Sequence, residues 1–114
     1  MEQTTRVKTR VQDKIGIMDI SGEVTSVSEK VIQDAYEKFT TDGLKRIGLN
    51  LDQVSYINSA GMAIIIGILT QSRKRGQTLR AWGLSEHFQK IFSMIGITKY
   101  MDHFGSEAEA LKGF

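Results

Sequence analysis

Apolar residues in this chain switch repeatedly between two spacings, and that switching limits the fold more than any other feature. Thr5 to Val11 alternates, with Val7 and Val11 on one face, and reads as a short strand. A polar pair, Asp13-Lys14, separates it from a second strand carrying Ile15, Ile17, Met18 and Ile20 and ending at Ser21-Gly22. Two short strands joined by two polar residues predict a hairpin. Ser26 and Ser28 read as helix caps ahead of Glu29, and Val31, Ile32, Ala35, Tyr36 and Phe39 then recur at three- and four-residue spacing, closed by Gly43. Ile47, Leu49 and Leu51 return to period two, followed by a polar loop, Asp52-Gln53-Val54-Ser55. A helix from Ser59 to about Arg75, a strand from Thr78 to Trp82, and a helix with Phe88, Ile91, Phe92 and Ile95 follow. The chain closes with a short strand at Tyr100-Met101 and a last helix from Ser106 to Leu111. The order β-β-α-β-α-β-α-β-α predicts an α/β fold: a mostly parallel central sheet, one antiparallel edge strand and about four helices.

The 114 residues suit one domain, residues 1–114, with 40% apolar and 25% charged residues. Proline is absent, so glycines end the helices. Cysteine is also absent, which excludes disulfides, thiolate zinc ligands and a Cys nucleophile and suits a reducing cytoplasm. Fifteen Lys+Arg against 13 Asp+Glu leave a net charge of +2, too little for a nucleic-acid surface. Arg73-Lys74-Arg75 reads as the cationic last turn of a helix. The most apolar run, Gly61 to Leu69, is far shorter than the roughly 20 residues a membrane span needs. Met1 to Thr5 lacks an apolar signal core. The chain is therefore expected to be cytoplasmic, unprocessed and not inserted in a membrane.

The most informative stretch runs from Leu49 to Gly61: a strand, a turn, and a serine at the mouth of a helix. In open α/β sheets functional groups collect just beyond the carboxyl ends of strands, where Ser59 falls. Unpaired N–H groups and the positive dipole end there would stabilise an anion, including a phosphate on Ser59 itself. Ala60 and Gly61 are small and would let a kinase approach the backbone. The same residues also fit a plainer role, with Ser59 or Asn58 simply capping the helix. The helix that follows, Met62-Ala63-Ile64-Ile65-Ile66, has almost no polar face over its first turns. Neighbouring helices bury it, or part of it is a docking patch beside Ser59.

Enzyme signatures are missing. There is no G-x-S-x-G around a serine, no P-loop and no G-x-G-x-x-G. His87 and His103 have no partners at metal-ligand spacing and read as surface or cap residues. Trp82 reads as core. No cofactor or metal is expected.

The run from Leu49 to Gly61 resembles the STAS signature, in which an apolar-Asp/Asn-apolar strand, a polar turn and an aromatic lead to Asp-Ser-[Ser/Thr/Ala]-Gly. Ile20-Ser21-Gly22-Glu23-Val24, Arg75-Gly76-Gln77-Thr78-Leu79 and Phe92-Ser93-Met94-Ile95-Gly96-Ile97 resemble further family segments in the same order, so the likeness covers nearly the whole chain. It implies a STAS-like fold and, among anti-sigma-factor antagonists, a bacterial partner switch. The unphosphorylated protein binds an anti-sigma serine kinase of the GHKL type, phosphorylation of the signature serine breaks the complex, and a phosphatase restores it. By position the acceptor is Ser59, and Glu23, Thr25, Ser26, Asn58, Ala60, Gly61 and Met62 are partner contacts. Asn58 stands where the family usually has an acid, and the acid usual near the first helix is replaced around Thr25. The resemblance also implies a second role, as a STAS subunit of a membrane transporter in which the apolar helix is a constitutive interface. A nucleotide or anion sensor using the same helix mouth is a third. A weak homodimer through the apolar helix stays open.

Overall fold

The computed structural model describes residues 5–114; Met1 to Thr4, part of the N-terminal segment discussed above, lie outside the described residues. Strand β1 (Arg6–Gln12) and β2 (Ile15–Val24) form the expected hairpin, with Gln12 opposite Ile15 and both Asp13 and Lys14 at positive φ, as a two-residue turn between twisted strands requires. After a 3-10 turn (Ser26–Ser28) come α1 (Glu29–Thr41), β3 (Arg46–Ile57), α2 (Ser59–Lys74), β4 (Thr78–Trp82) and α3 (Glu86–Met94). A second 3-10 turn (Ile97–Lys99), β5 (Asp102–Phe104) and α4 (Glu107–Leu111) complete the chain. The five-stranded sheet runs β1-β2-β3-β4-β5, antiparallel only between β1 and β2.

The two faces of the sheet are unequal. Met18 and Ile20 of β2 and Ile47, Leu49 and Leu51 of β3 share the main core with Ile32, Tyr36 and Phe39 of α1, Ile64, Ile65 and Ile68 of α2, and Phe92 of α3. Each fully buried side chain of this size contributes on the order of 1.5–3 kcal/mol. The opposite face is thin. There Ile15, Ile17 and Trp82 pack with Ala110 and Leu111 of α4 and with Phe114. Gly48 belongs to this face: a Cβ on it would lie 2.7 Å from the Trp82 ring, so the glycine makes the room the indole fills. On the same side Arg10 binds Asp19 (Nε–Oδ2 2.8 Å) and also Glu107, and Asn50 donates to Asp19 at 2.8 Å. Burial opposes ionisation of Asp19, but the hydrogen bonds from Arg10 and Asn50 outweigh it and hold the carboxyl below its ordinary pKa.

Three expectations need correction. Asp52 to Ser55 is not a loop but the continuation of β3, which runs unbroken to Ile57 against the far end of β2. Beyond Asn50 this part of β3 has no β4 partner, so Asp52, Gln53, Ser55 and Tyr56 are exposed and neither apolar period marks the strand. The last strand is Asp102–Phe104, two residues later than expected, because Ile97–Lys99 makes a turn and Met101 is buried. At the start of α1 neither Ser26 nor Ser28 caps the α-helix through its side chain; the Ser28 hydroxyl instead accepts from Thr25 N–H at 2.9 Å, while Ser28 N–H donates to the Thr25 carbonyl at 3.0 Å across the preceding 3-10 turn.

Candidate functional site

The parallel strands β2 and β3 end together, with Val24 opposite Ile57, and the chain leaves each into a helix. Asn58 N–H donates to the Val24 carbonyl at 3.2 Å, fixing the exit from β3 beside the exit from β2. Asn58 then takes the extended backbone of an N-cap (φ −96°, ψ −177°), and its side-chain oxygen accepts from Gly61 N–H at 2.9 Å. Met62 N–H donates to the Asn58 carbonyl at 2.8 Å, the first bond of the helix proper. Among the described residues, the N–H groups of Ser59 and Ala60 have no partner.

Capping is therefore the task of Asn58, and Ser59 is the first residue of α2, exposed, with no hydrogen bond to its hydroxyl among the described residues. A phosphate on that hydroxyl would meet two unused N–H groups and the positive end of a 16-residue helix. Gly61 is held tightly: a Cβ there would lie 2.0 Å from the Val24 carbonyl oxygen, so only glycine lets the first turn of α2 lie against the end of β2.

The partner-contact residues suggested by the sequence fall into two sets. Ser26, Ser59 and Ala60 are exposed, and Glu23, Thr25 and Asn58 are half-buried. Ser26 and Ala60 line one groove between α1 and α2, so the β2–α1 turn and the mouth of α2 form one surface. Gly61 and Met62 are buried, and Met62 reaches the surface only at its edge, in the depression beside Ser59. The apolar helix resolves both ways. Met62, Ile64, Ile65, Ile68 and Leu69 are covered by neighbours, whereas Ala60, Ala63 and Ile66 are exposed. Sequence reading missed Tyr56, 47% exposed, and Ile95, 49% exposed, which border Ser59 on the α3 side. Tyr56 directly follows the expected loop and enters only as part of the signature, and the helical spacing of Ile95 suggests core.

The histidines stand apart from this site and from each other. His87 is exposed against the Phe88 ring. His103 is half-buried on β5, where its Nε2 accepts from Leu84 N–H at 3.2 Å and burial lowers its pKa below the ordinary value. Among the described residues no cluster of His, Cys, Asp or Glu could hold a metal ion, and no helix is long and apolar enough to cross a membrane. Trp82 is fully buried.

A sequential sheet with one antiparallel edge, and a helix mouth at the carboxyl end of a central strand presenting a serine, define a small α/β domain with its open chemistry at one rim. The STAS domain model matches residues 6–110, and the chain belongs to that family. The anti-sigma-B factor antagonist of Staphylococcus aureus is 26% identical over 104 residues, covering 90% of this chain and 96% of that protein. Among solved structures, an anti-sigma factor antagonist from Mycobacterium paratuberculosis superposes with a TM-score of 0.84 at 15% identity, covering 96% of this chain and 93% of the other. The Bacillus cell fate determinant SpoIIAA in its phosphorylated form gives 0.72 at 17% identity, with 96% and 98% covered. A sulfate transporter family protein from Wolinella succinogenes gives 0.75 at 19% identity, with 91% and 87% covered. At such identities these structures share the fold, and the fold alone does not separate the two roles.

Proposed function

We propose that the chain is an anti-sigma-factor antagonist that works by partner switching in the cytoplasm. It binds an anti-sigma serine kinase of the GHKL type while Ser59 is unmodified, is released when Ser59 is phosphorylated, and is reset by a phosphatase. The observation that carries this reading is the division of labour at the mouth of α2: Asn58 caps the helix, so the Ser59 hydroxyl stands exposed beside two unused N–H groups. A partner covering this rim must remove water from Ser59, Ala60 and Ser26. Adding about two negative charges at Ser59 makes that desolvation unfavourable, while the helix end keeps the phosphate stable on the free protein. The names of the relatives agree with this reading.

Calorimetry against the host's anti-sigma kinase tests it. Ser59→Ala is expected to bind as the parent chain does, and Ser59→Asp to lose binding. Equal affinities for the two variants contradict the switch. Co-purification with a transporter ATPase, with no phosphate carried on Ser59, would favour the constitutive transporter-subunit role.

A further inference from the structure

We infer that the groove between α2 and α3 seats an amphipathic helix of the partner protein, apolar along one stripe and acidic at the end far from Ser59. This rests on the partner reading above and adds the chemistry of the contact. The groove begins at Ser59, where Tyr56, Met62, Ile66, Ile91 and Ile95 line it. A second depression, bounded by Leu69, Thr70, Arg73 and Tyr100, lies next to it and shares Ile66 and Ile95 in its lining. Tyr56, Ile66, Ile95 and Tyr100 are 47%, 39%, 49% and 57% exposed, so large apolar side chains stand open in both parts, with Asn58 and Ser59 at one end and Thr70 and Arg73 at the other. The helix segment from Ser59 to Arg73 spans roughly 21 Å, the length of about four helical turns.

Charge selects the occupant. Arg73 is the one charged residue lining either part of the groove, and its guanidinium lies over the Tyr100 ring at 4.2 Å with no carboxylate partner among the described residues. A helix with apolar residues at i, i+3, i+4 and i+7 fills such a trough, and a Glu or Asp at its end answers Arg73. A second copy of this chain fits poorly: two such grooves face to face supply no acid, and both Arg73 cations stay unanswered. The neighbouring groove between α1 and α2 mixes Ser26, Glu29, Gln33 and Gln71 with Ala60, Ala63, Ile64 and Gly67; its described lining holds an acid in place of a cation and no exposed large apolar side chain. A phosphate on Ser59 would sit at the head of the apolar groove, where it opposes entry of an apolar stripe.

The test is calorimetry of the full chain with the host's anti-sigma kinase, with thermal melts showing that each variant is folded. Ile95→Gln is expected to weaken binding about tenfold or more, as loss of an apolar anchor does. Arg73→Glu is expected to weaken it by a similar factor, and Arg73→Lys to recover much of the loss. Met94→Gln, at an exposed residue outside the groove lining, is expected to bind normally. Groove variants that bind like the parent while Ser59→Asp does not would overturn the inference and leave the switch standing. Weakened groove variants with Ser59→Ala and Ser59→Asp binding alike would sink the switch and leave the groove standing. Should the parent chain bind no such kinase, the switch falls. The groove is then measured with a synthetic helical peptide of about 14 residues, bearing leucines on one stripe and a terminal glutamate. Binding lost in Ile95→Gln and in Arg73→Glu supports the groove; no binding overturns it. A concentration-dependent dimer abolished by Ile95→Gln would also overturn it, in favour of a second copy.

Discussion

Ser28 and Ser59 stand at the entrances of neighbouring helices, and their hydroxyls have opposite fates. Ser28 is fully buried. Its hydroxyl accepts from Thr25 N–H at 2.9 Å, lies 3.3 Å from the Glu23 carbonyl it donates to, and touches the Thr5 hydroxyl. Ser59 is exposed, and Asn58 does the capping one residue earlier. The difference shows how a serine becomes available for modification at a helix mouth: a neighbouring side chain takes over the cap, and the serine moves to the first helical position with its hydroxyl released. Both entrances are anchored on the end of β2, one through the Glu23 carbonyl and one through the Val24 carbonyl.

Substitutions at these entrances can break or sharpen the contrast. The largest effect is expected from Gly61→Ala, whose new Cβ would be driven into the Val24 carbonyl. Backbone cannot yield as a side-chain tip can, so α2 must shift, at a cost of about 3 kcal/mol or more. A melt should show a loss on the order of 10 °C, and an unchanged melting temperature would show that the mouth of α2 is not pinned to β2. Next comes Ser28→Ala, which leaves Thr25 N–H without its partner and a small buried void, costing about 2 kcal/mol in urea unfolding. Asn58→Ala removes one cap bond and should cost about 1 kcal/mol, whereas Asn58→Asp keeps the acceptor and should stay within about 0.5 kcal/mol of the parent. Ser59→Ala should also change stability by no more than about 0.5 kcal/mol. If Ser59→Ala destabilised the fold as much as Ser28→Ala, the hydroxyl would be structural and the contrast would vanish.

Much of this was legible in the amino-acid order, for identifiable reasons. The alternation of periods gave the succession of elements, the Asp13-Lys14 pair the antiparallel edge, and the position of Ser59 after an apolar strand its place at a helix mouth. Trp82 was legible as core, though not that Gly48 makes room for it. The second half of β3 was hidden because it outruns β4 and faces water, so Asp52 to Ser55 carry loop-like side chains on strand backbone. The fates of Ser28 and Ser59 could not be told apart, since both are serines ahead of an apolar run. Their difference lies in which groups meet each hydroxyl in space: Asn58 takes the cap ahead of Ser59, while Thr25 N–H and the Glu23 carbonyl hold the Ser28 hydroxyl inward. The burial of Met62 and the exposure of Ile95 are set by how α2 and α3 lean on the sheet, which spacing alone does not encode.

The most direct test of the central claim is site mapping by mass spectrometry after incubating the chain with ATP and the host's anti-sigma kinase. The account expects a single phosphate, located on Ser59, with Ser28 untouched. A phosphate on another residue, or an unmodified chain in a mixture where the kinase is demonstrably active, would contradict it.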